Sequence, residues 1–201
     1  MTAHDPATVR PLRADARRNR ARVLAAAADA FAEEGSGATL DGIAARAGVG
    51  PGTVYRHFAT KEALFGAVVV DRIGVLADEG RAALGADDPG VAFTAFCDTL
   101  VVEGARKLHL IEAFAAAGAR PQLELGDALA ALTDTLGLLL GRAQAAGVVR
   151  ADVDADDVLA LLAGASVTVG GVGTDRARAA RLLAVVHDGL RAGGGVAAPA
   201  G

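Results

Sequence analysis

The chain has 201 residues, of which 49 are alanine, 26 are glycine and only 3 % are aromatic. Alanine is the best helix former, strand-forming residues are thinly spread, and a hydrophobic content of 52 % is too high for an unfolded chain, which argues against an all-β fold and against disorder. The net charge of −4 argues against a protein that coats nucleic acid over its whole surface, but it hides a split: residues 1–66 hold 9 Lys and Arg against 7 Asp and Glu, and residues 67–201 hold 11 against 17.

In chain order, residues 1–14 read as a flexible basic arm, with Pro6 and Pro11 and no apolar period. Arg10, Arg13, Arg17, Arg18, Arg20 and Arg22 are opposed only by Asp15. This stretch could lie on phosphates or enter a minor groove, and it reads equally as a solvated helix start. A helix is predicted from about Asp15 to Glu34, where Val23, Ala27 and Phe31 recur at helical spacing before Gly35-Ser36-Gly37. Thr39 is a good cap for a short second helix carrying Leu40, Ile43, Ala44 and Ala47. A glycine-rich turn over 48–52 leads to a third helix, Thr53–Phe58, and Thr60 caps a fourth over roughly 61–84. Asp88-Pro89 is a start signal for a fifth helix, with Phe93, Phe96, Cys97, Leu100 and Gly104 on one face. A short helix near 108–118 and a longer one near 121–146 follow, separated by Gly118 and Pro121 and ended by Gly147. Asp154 caps an eighth, with Val158, Leu161, Leu162, Ala165 and Val169. Beyond a glycine turn over 170–173, a ninth carries Ala179, Leu182, Leu183, Val186 and Leu190, and residues 193–201 read as a disordered tail. The fold class is all-α, with nine predicted helices.

Cys97 is the single cysteine, so no internal disulfide and no Cys-rich zinc site is expected, and a reducing compartment fits. No signal peptide is visible, because the arginine-rich stretch precedes an apolar run that stops at Asp29. The longest uncharged run, Val158–Thr174, is short for a membrane span and contains several glycines. A cytoplasmic protein without membrane attachment is expected.

Three short helices in about fifty residues, the second and third joined by a glycine-bearing turn, describe a helix-turn-helix unit. With Val54 taken as the origin of a wheel for the third helix, Phe58 falls at about 40°, so both point inward. Gly52 and Arg56 fall on the opposite side, and Thr53 and Tyr55 take the flanks. Such an outward edge can enter a major groove: Gly allows close approach, Arg can bond a guanine edge, and hydroxyls reach phosphates. Thr39 and Thr60 stand at helix starts, where free backbone N–H groups can hold a phosphate, and Lys61 adds a charge there. Tyr55, His57 and Lys61 also have a plainer reading, as core packing or an ordinary solvated charge.

The run from Thr39 to Leu64, with its Gly-Val-x-x-x-Thr-x-Tyr-x-His-Phe-x-x-Lys spacing, resembles the DNA-binding signature of the TetR family of transcriptional regulators. The resemblance covers roughly residues 16–66. It implies a helix-turn-helix DNA-binding domain over 15–66 and a helical effector-binding and dimerising domain over 67–192. It also implies a homodimer on a near-palindromic double-stranded operator. By position, Thr39, Thr53, Tyr55, His57 and Lys61 match residues that mostly meet the DNA backbone, and Pro51, Gly52 and Arg56 match base-facing positions. Gly52 contributes no side chain where other members often have one, which leaves direct reading resting more on Arg56.

Other chemistry is sparse. The glycines at 48, 50 and 52 lack the strand and spacing of a dinucleotide loop, the four histidines stand at no metal-ligand spacing, and no nucleophile elbow is present. No catalysis, cofactor or metal is expected. An apolar effector pocket could be walled by Phe93, Phe96, Cys97 and Leu100 on one helix, with Leu108, Ile111 and Phe114 on the next, although a core without a cavity would show the same stripe. His109 and Glu112, three residues apart, could orient a polar group of that small molecule. In the family the two C-terminal helices pair across a dyad, which makes Leu161, Leu162, Leu183, Val186 and Leu190 the candidate dimer residues, with intrachain core as the alternative. The expected function is a ligand-released, homodimeric repressor. A ligand-independent regulator or activator, or a small-molecule-binding module with a vestigial N-terminal unit, would carry the same residues.

Overall fold

A computed structural model of the chain describes residues 9–119, 123–171 and 175–193, with side chains from residue 15 onward apart from 16 and 17. Eight helices are present among the described residues: α1 (Val9–Glu34), α2 (Leu40–Ala47), α3 (Pro51–His57), α4 (Lys61–Ala83), α5 (Pro89–Ala116), α6 (Gly126–Ala145), α7 (Ala155–Gly171) and α8 (Arg176–Leu190). A single 3₁₀ turn, Gly35–Gly37, joins α1 to α2. No strand occurs among them, only an isolated antiparallel bridge between Val149 and Arg191. The all-α class is as expected. The expectations for residues 1–8, for Pro121, for Val172 and Gly173 and for the tail beyond 193 lie outside the described residues.

Two boundaries differ from expectation for identifiable reasons. First, α1 begins at Val9 rather than near Asp15. Pro11 then falls in its first turn, where a missing N–H costs no helix hydrogen bond. Second, the helices expected on either side of residue 105 are one continuous helix, α5, which makes eight helices rather than nine. Gly104 does not interrupt it, because a helix tolerates an interior glycine at a cost of about 1 kcal/mol. Its role is packing: a Cβ there would stand 2.4 Å from Ser166 Oγ of α7, so the glycine permits the close crossing.

The caps are local and follow the sequence. Thr39 Oγ1 accepts from Gly42 N at 3.1 Å, Thr60 Oγ1 from Ala63 N at 3.1 Å, and Asp88 Oδ1 from Val91 N at 2.9 Å. Asp154 and Asp157 cap reciprocally, each carboxylate accepting from the other's backbone N–H. Asp175 caps α8 by accepting from Arg178 N at 2.9 Å, a role the sequence reading did not assign.

The chain divides into two compact units, residues 1–71 with 110–124 and residues 72–109 with 125–201, so α4 and α5 each contribute a segment to both. The first unit closes on three phenylalanine rings. Phe31 of α1 meets Phe65 of α4 edge-on with centroids 5.5 Å apart, and Phe65 stacks on Phe114 of α5 at 4.7 Å. Val23, Leu24, Ala27, Ile43, Val54 and Leu64 are buried with them. In the second unit Phe93, Phe96, Cys97, Val101, Leu136, Leu139, Val158 and Leu162 form the core. Its buried hydroxyls are satisfied within their own helices, Thr135 donating to Ala131 O and Ser166 to Leu162 O, both at 2.8 Å. Arg142 donates to Leu84 O and Ala86 O just past the end of α4. His187 Nε2 of α8 faces Asp98 Oδ1 of α5 at 2.9 Å.

Candidate nucleic-acid interface

The second and third helices form the turn that the sequence implies. Gly48 closes α2 in the left-handed region (φ 62°), with Val49 N donating to Ala44 O at 3.1 Å. This is a 6→1 closure that favours glycine. Gly50 then precedes α3, whose first position is Pro51, a residue pre-set for a helix start. Inside α3, Val54 is fully buried, and Phe58 is buried at its end.

The outward edge is as the wheel places it. Pro51, Gly52, Tyr55, Arg56 and His57 are exposed, and Thr53 is half-buried. Tyr55 is 50 % exposed, which removes it from the small core. Arg56 has no hydrogen-bond or ion-pair partner among the described residues. At Gly52 a Cβ would meet nothing within 4 Å, so the fold itself does not require glycine there. Thr39 is exposed, and its capping bond uses an acceptor lone pair, leaving the hydroxyl hydrogen available to a phosphate oxygen.

Lys61 is engaged more than expected. Its Nζ donates to Ser36 O at 2.6 Å and lies 5.6 Å from the centre of the Phe114 ring. An ammonium has three donors, so this tie leaves others available. Arginines do further work that sequence reasoning missed. Arg22 Nη2 donates to Ala47 O at 2.6 Å and to Gly48 O at 3.0 Å. Arg46 pairs with Glu33 at 2.7 Å and Glu34 at 3.3 Å, and its hydrogen bond and charge hold the exposed Glu33 carboxyl below its ordinary range. Arg20 lies over the Phe58 ring, 5.8 Å from its centre. These partners stand 12 to 38 residues away in sequence, where no local spacing announces them.

The expected effector residues fall in both units. Phe93, Phe96, Cys97 and Leu100 are buried on α5 in the second unit, and Phe114 is buried in the three-ring cluster of the first. The two helices expected to face each other across a pocket are successive turns of α5, which is why the facing-wall arrangement fails. Burial pushes the Cys97 thiol up to about 12, so it stays neutral and unreactive. His109 and Glu112 are both exposed, and each has an interaction partner. The second unit has a surface groove of about 330 Å³, lined in part by Glu79, Asp88, Val91, Ala92, Phe96 and Thr99, so Phe96 alone of the expected set reaches it. Of the dimer candidates, Leu161 is 43 % exposed and Leu183 and Val186 are half-buried, whereas Leu162 and Leu190 are buried within the chain. Among the described residues no cluster of three or more metal-ligating side chains occurs, and no helix is long and apolar enough to cross a membrane.

A capped helix, a left-handed glycine turn and a short helix with a polar outer edge define a helix-turn-helix unit joined to a helical body. Comparison with known proteins agrees. Residues 23–68 match the family described as bacterial regulatory proteins, tetR family, and residues 88–192 match the C-terminal domain of SbtR-like transcriptional regulators. A TetR transcription regulatory protein from Mycobacterium vanbaalenii is 46 % identical over 90 % of this chain and 99 % of its own, with a TM-score of 0.68. The TetR transcriptional regulator SCO0520 from Streptomyces coelicolor is 37 % identical over 87 % and 99 %, with a TM-score of 0.69. The HTH-type transcriptional repressor Rv3405c of Mycobacterium tuberculosis is 53 % identical over 55 residues. That match spans 27 % of this chain and 29 % of the curated relative. The chain belongs to the TetR family of transcriptional regulators.

Proposed function

We propose that the chain is a homodimeric transcriptional repressor that binds a near-palindromic operator and is released by a small molecule. The observation that carries the DNA reading is the outer edge of α3. Arg56 is solvent-facing and unpartnered among the described residues, beside a glycine that no neighbour requires. In this reading Arg56 meets a base edge, with Pro51 and Gly52 allowing close approach. Thr39, Thr53, Tyr55, His57 and Lys61 hold the phosphate backbone. The second copy packs against α7 and α8, where Leu161, Val167 and Val185 are exposed and Leu183 and Val186 half-buried, with Leu162 and Leu190 beneath them. The effector is an apolar small molecule taken up by the second unit. Repression is supported by the name of the mycobacterial relative, through the 55 matched residues. The protein acts in the cytoplasm as a regulator rather than an enzyme.

Selection of duplexes from a random pool by the purified chain supplies the operator for the test. Arg56→Ala should weaken binding to that duplex by roughly 1–3 kcal/mol and relax one base position. An equal loss on every duplex would contradict base reading. Sedimentation should give a dimer, and a metabolite screen should find compounds that free the duplex; a chain that stays bound throughout would be a ligand-independent regulator.

A further inference from the structure

The arginine-rich stretch of α1 reads from charge alone equally as a nucleic-acid contact or a solvated helix start, and two of its members are used inside the first unit. Arg20 and Arg22 are two positions apart and so leave the helix on opposite flanks. Arg22 reaches the last carbonyl of α2 and that of its glycine cap, Ala47 O and Gly48 O, in the turn before α3. That is the negative end of a helix dipole, where a cation is favourable. Gly48 is fitted to this contact twice over. Its φ of 62° is left-handed, and a Cβ there would stand 2.8 Å from Arg22 Nη2. At the other end of α3, Arg20 covers the ring of Phe58, the buried residue at which the helix terminates.

We infer that Arg20 and Arg22 are positioning residues for the recognition helix, holding the turn before α3 and the residue after it from the two flanks of α1. The inference rests on the reading of α3 as the DNA-reading helix. On that basis the two arginines govern discrimination between sequences rather than the electrostatic attraction common to all of them. Phosphate contacts contribute sequence-independent, salt-dependent affinity, and base contacts depend on the angle and depth at which the helix is presented.

The test uses the full chain, the duplex recovered by selection, and a scrambled duplex of the same length. Affinity is measured over a salt series at a temperature where each variant is fully folded by circular dichroism. Arg22→Lys is the decisive variant, because it keeps the charge on a side chain one bond shorter than the one whose Nη2 reaches both carbonyls. Arg22→Lys and Arg20→Ala should each lower the ratio of selected to scrambled affinity by about tenfold, with the salt slope unchanged to within about half a unit. Arg22→Ala should behave as Arg22→Lys does. If Arg22→Lys instead binds like the wild type, and Arg22→Ala loses about 0.9 of the slope on both duplexes, Arg22 is a phosphate contact and the inference is overturned. Wild-type ratios in all three variants would overturn it too. A wild-type chain that fails to distinguish the two duplexes would overturn the DNA reading, and the inference with it.

Discussion

Gly52→Ala separates what the fold needs from what a partner needs. Gly52 is the second residue of α3, its φ is not positive, and a Cβ would meet nothing within 4 Å. An interior helix glycine costs roughly 0.8–1 kcal/mol relative to alanine, and a first-turn position recovers about half of that. Gly52→Ala should therefore stabilise the chain by about 0.5 kcal/mol, a rise of about 1–2 °C in Tm at this size. Affinity for the selected duplex should move the other way, falling about tenfold, or about 1.4 kcal/mol, because the added methyl holds the helix off the groove floor. Thermal melts and fluorescence anisotropy read the two quantities on the same preparation. Gly104→Ala is the control: its Cβ would stand 2.4 Å from Ser166 Oγ, so the same substitution should destabilise by about 1–3 kcal/mol. A Gly52→Ala variant that is more stable and binds equally well would refute the assignment of this edge to DNA. A less stable one would refute the open-space argument.

Three further outcomes follow from the packing and the charges. Phe114→Ala removes a fully buried ring stacked 4.7 Å from Phe65, and chemical denaturation should show a loss of about 3–5 kcal/mol. A loss below about 1 kcal/mol, with the response to a releasing molecule abolished, would place Phe114 in a ligand site instead. Lys61→Ala should reduce stability by about 1 kcal/mol through the lost bond to Ser36 O, and also lower the salt slope of DNA binding by about one unit. Lost stability with an unchanged slope would leave Lys61 as an internal tie. Asp152 is held at about 2, against an ordinary 3.8, by its hydrogen bonds from Arg150 and that residue's charge. The folded chain thus binds this proton less readily than the unfolded one. The contribution is present above pH 3.8 and is lost as pH falls through about 2. Asp152→Asn should flatten that part of the acid denaturation profile, and identical profiles would contradict the pairing.

What the sequence made legible was whatever a single helix or a single cap decides. Thr39, Thr60, Asp88 and Asp154 cap as expected because a cap is a contact over three residues. The inward and outward edges of α3 followed from one wheel. Contacts between distant elements were not legible. Periodicity places Phe114 on an apolar face but not in the cluster that covers it, so it groups Phe114 with Phe93 and Phe96 rather than with Phe31 and Phe65. Gly104 shares an apolar face along the chain, but only the structure shows it as a contact point against Ser166.

Glycine and arginine carry the same ambiguity in this chain, and the structure resolves both by one criterion: whether the residue's requirement is met inside the molecule. Gly80 and Gly104 are explained internally, since a Cβ on either would crowd a neighbouring side chain at under 3 Å. Arg22 and Arg142 are explained in the same way, by the backbone carbonyls they hold. Gly52 and Arg56 have no such internal explanation, and they lie together on the exposed edge of α3. A glycine costs helix stability, so Gly52 on a seven-residue helix is unfavourable for an isolated chain. Charge alone leaves the arginine-rich start of α1 open between a DNA contact and a solvated helix start. On the proposed reading, recognition lies with the Arg56 guanidinium on α3, and Arg20 and Arg22 of α1 set how it is presented.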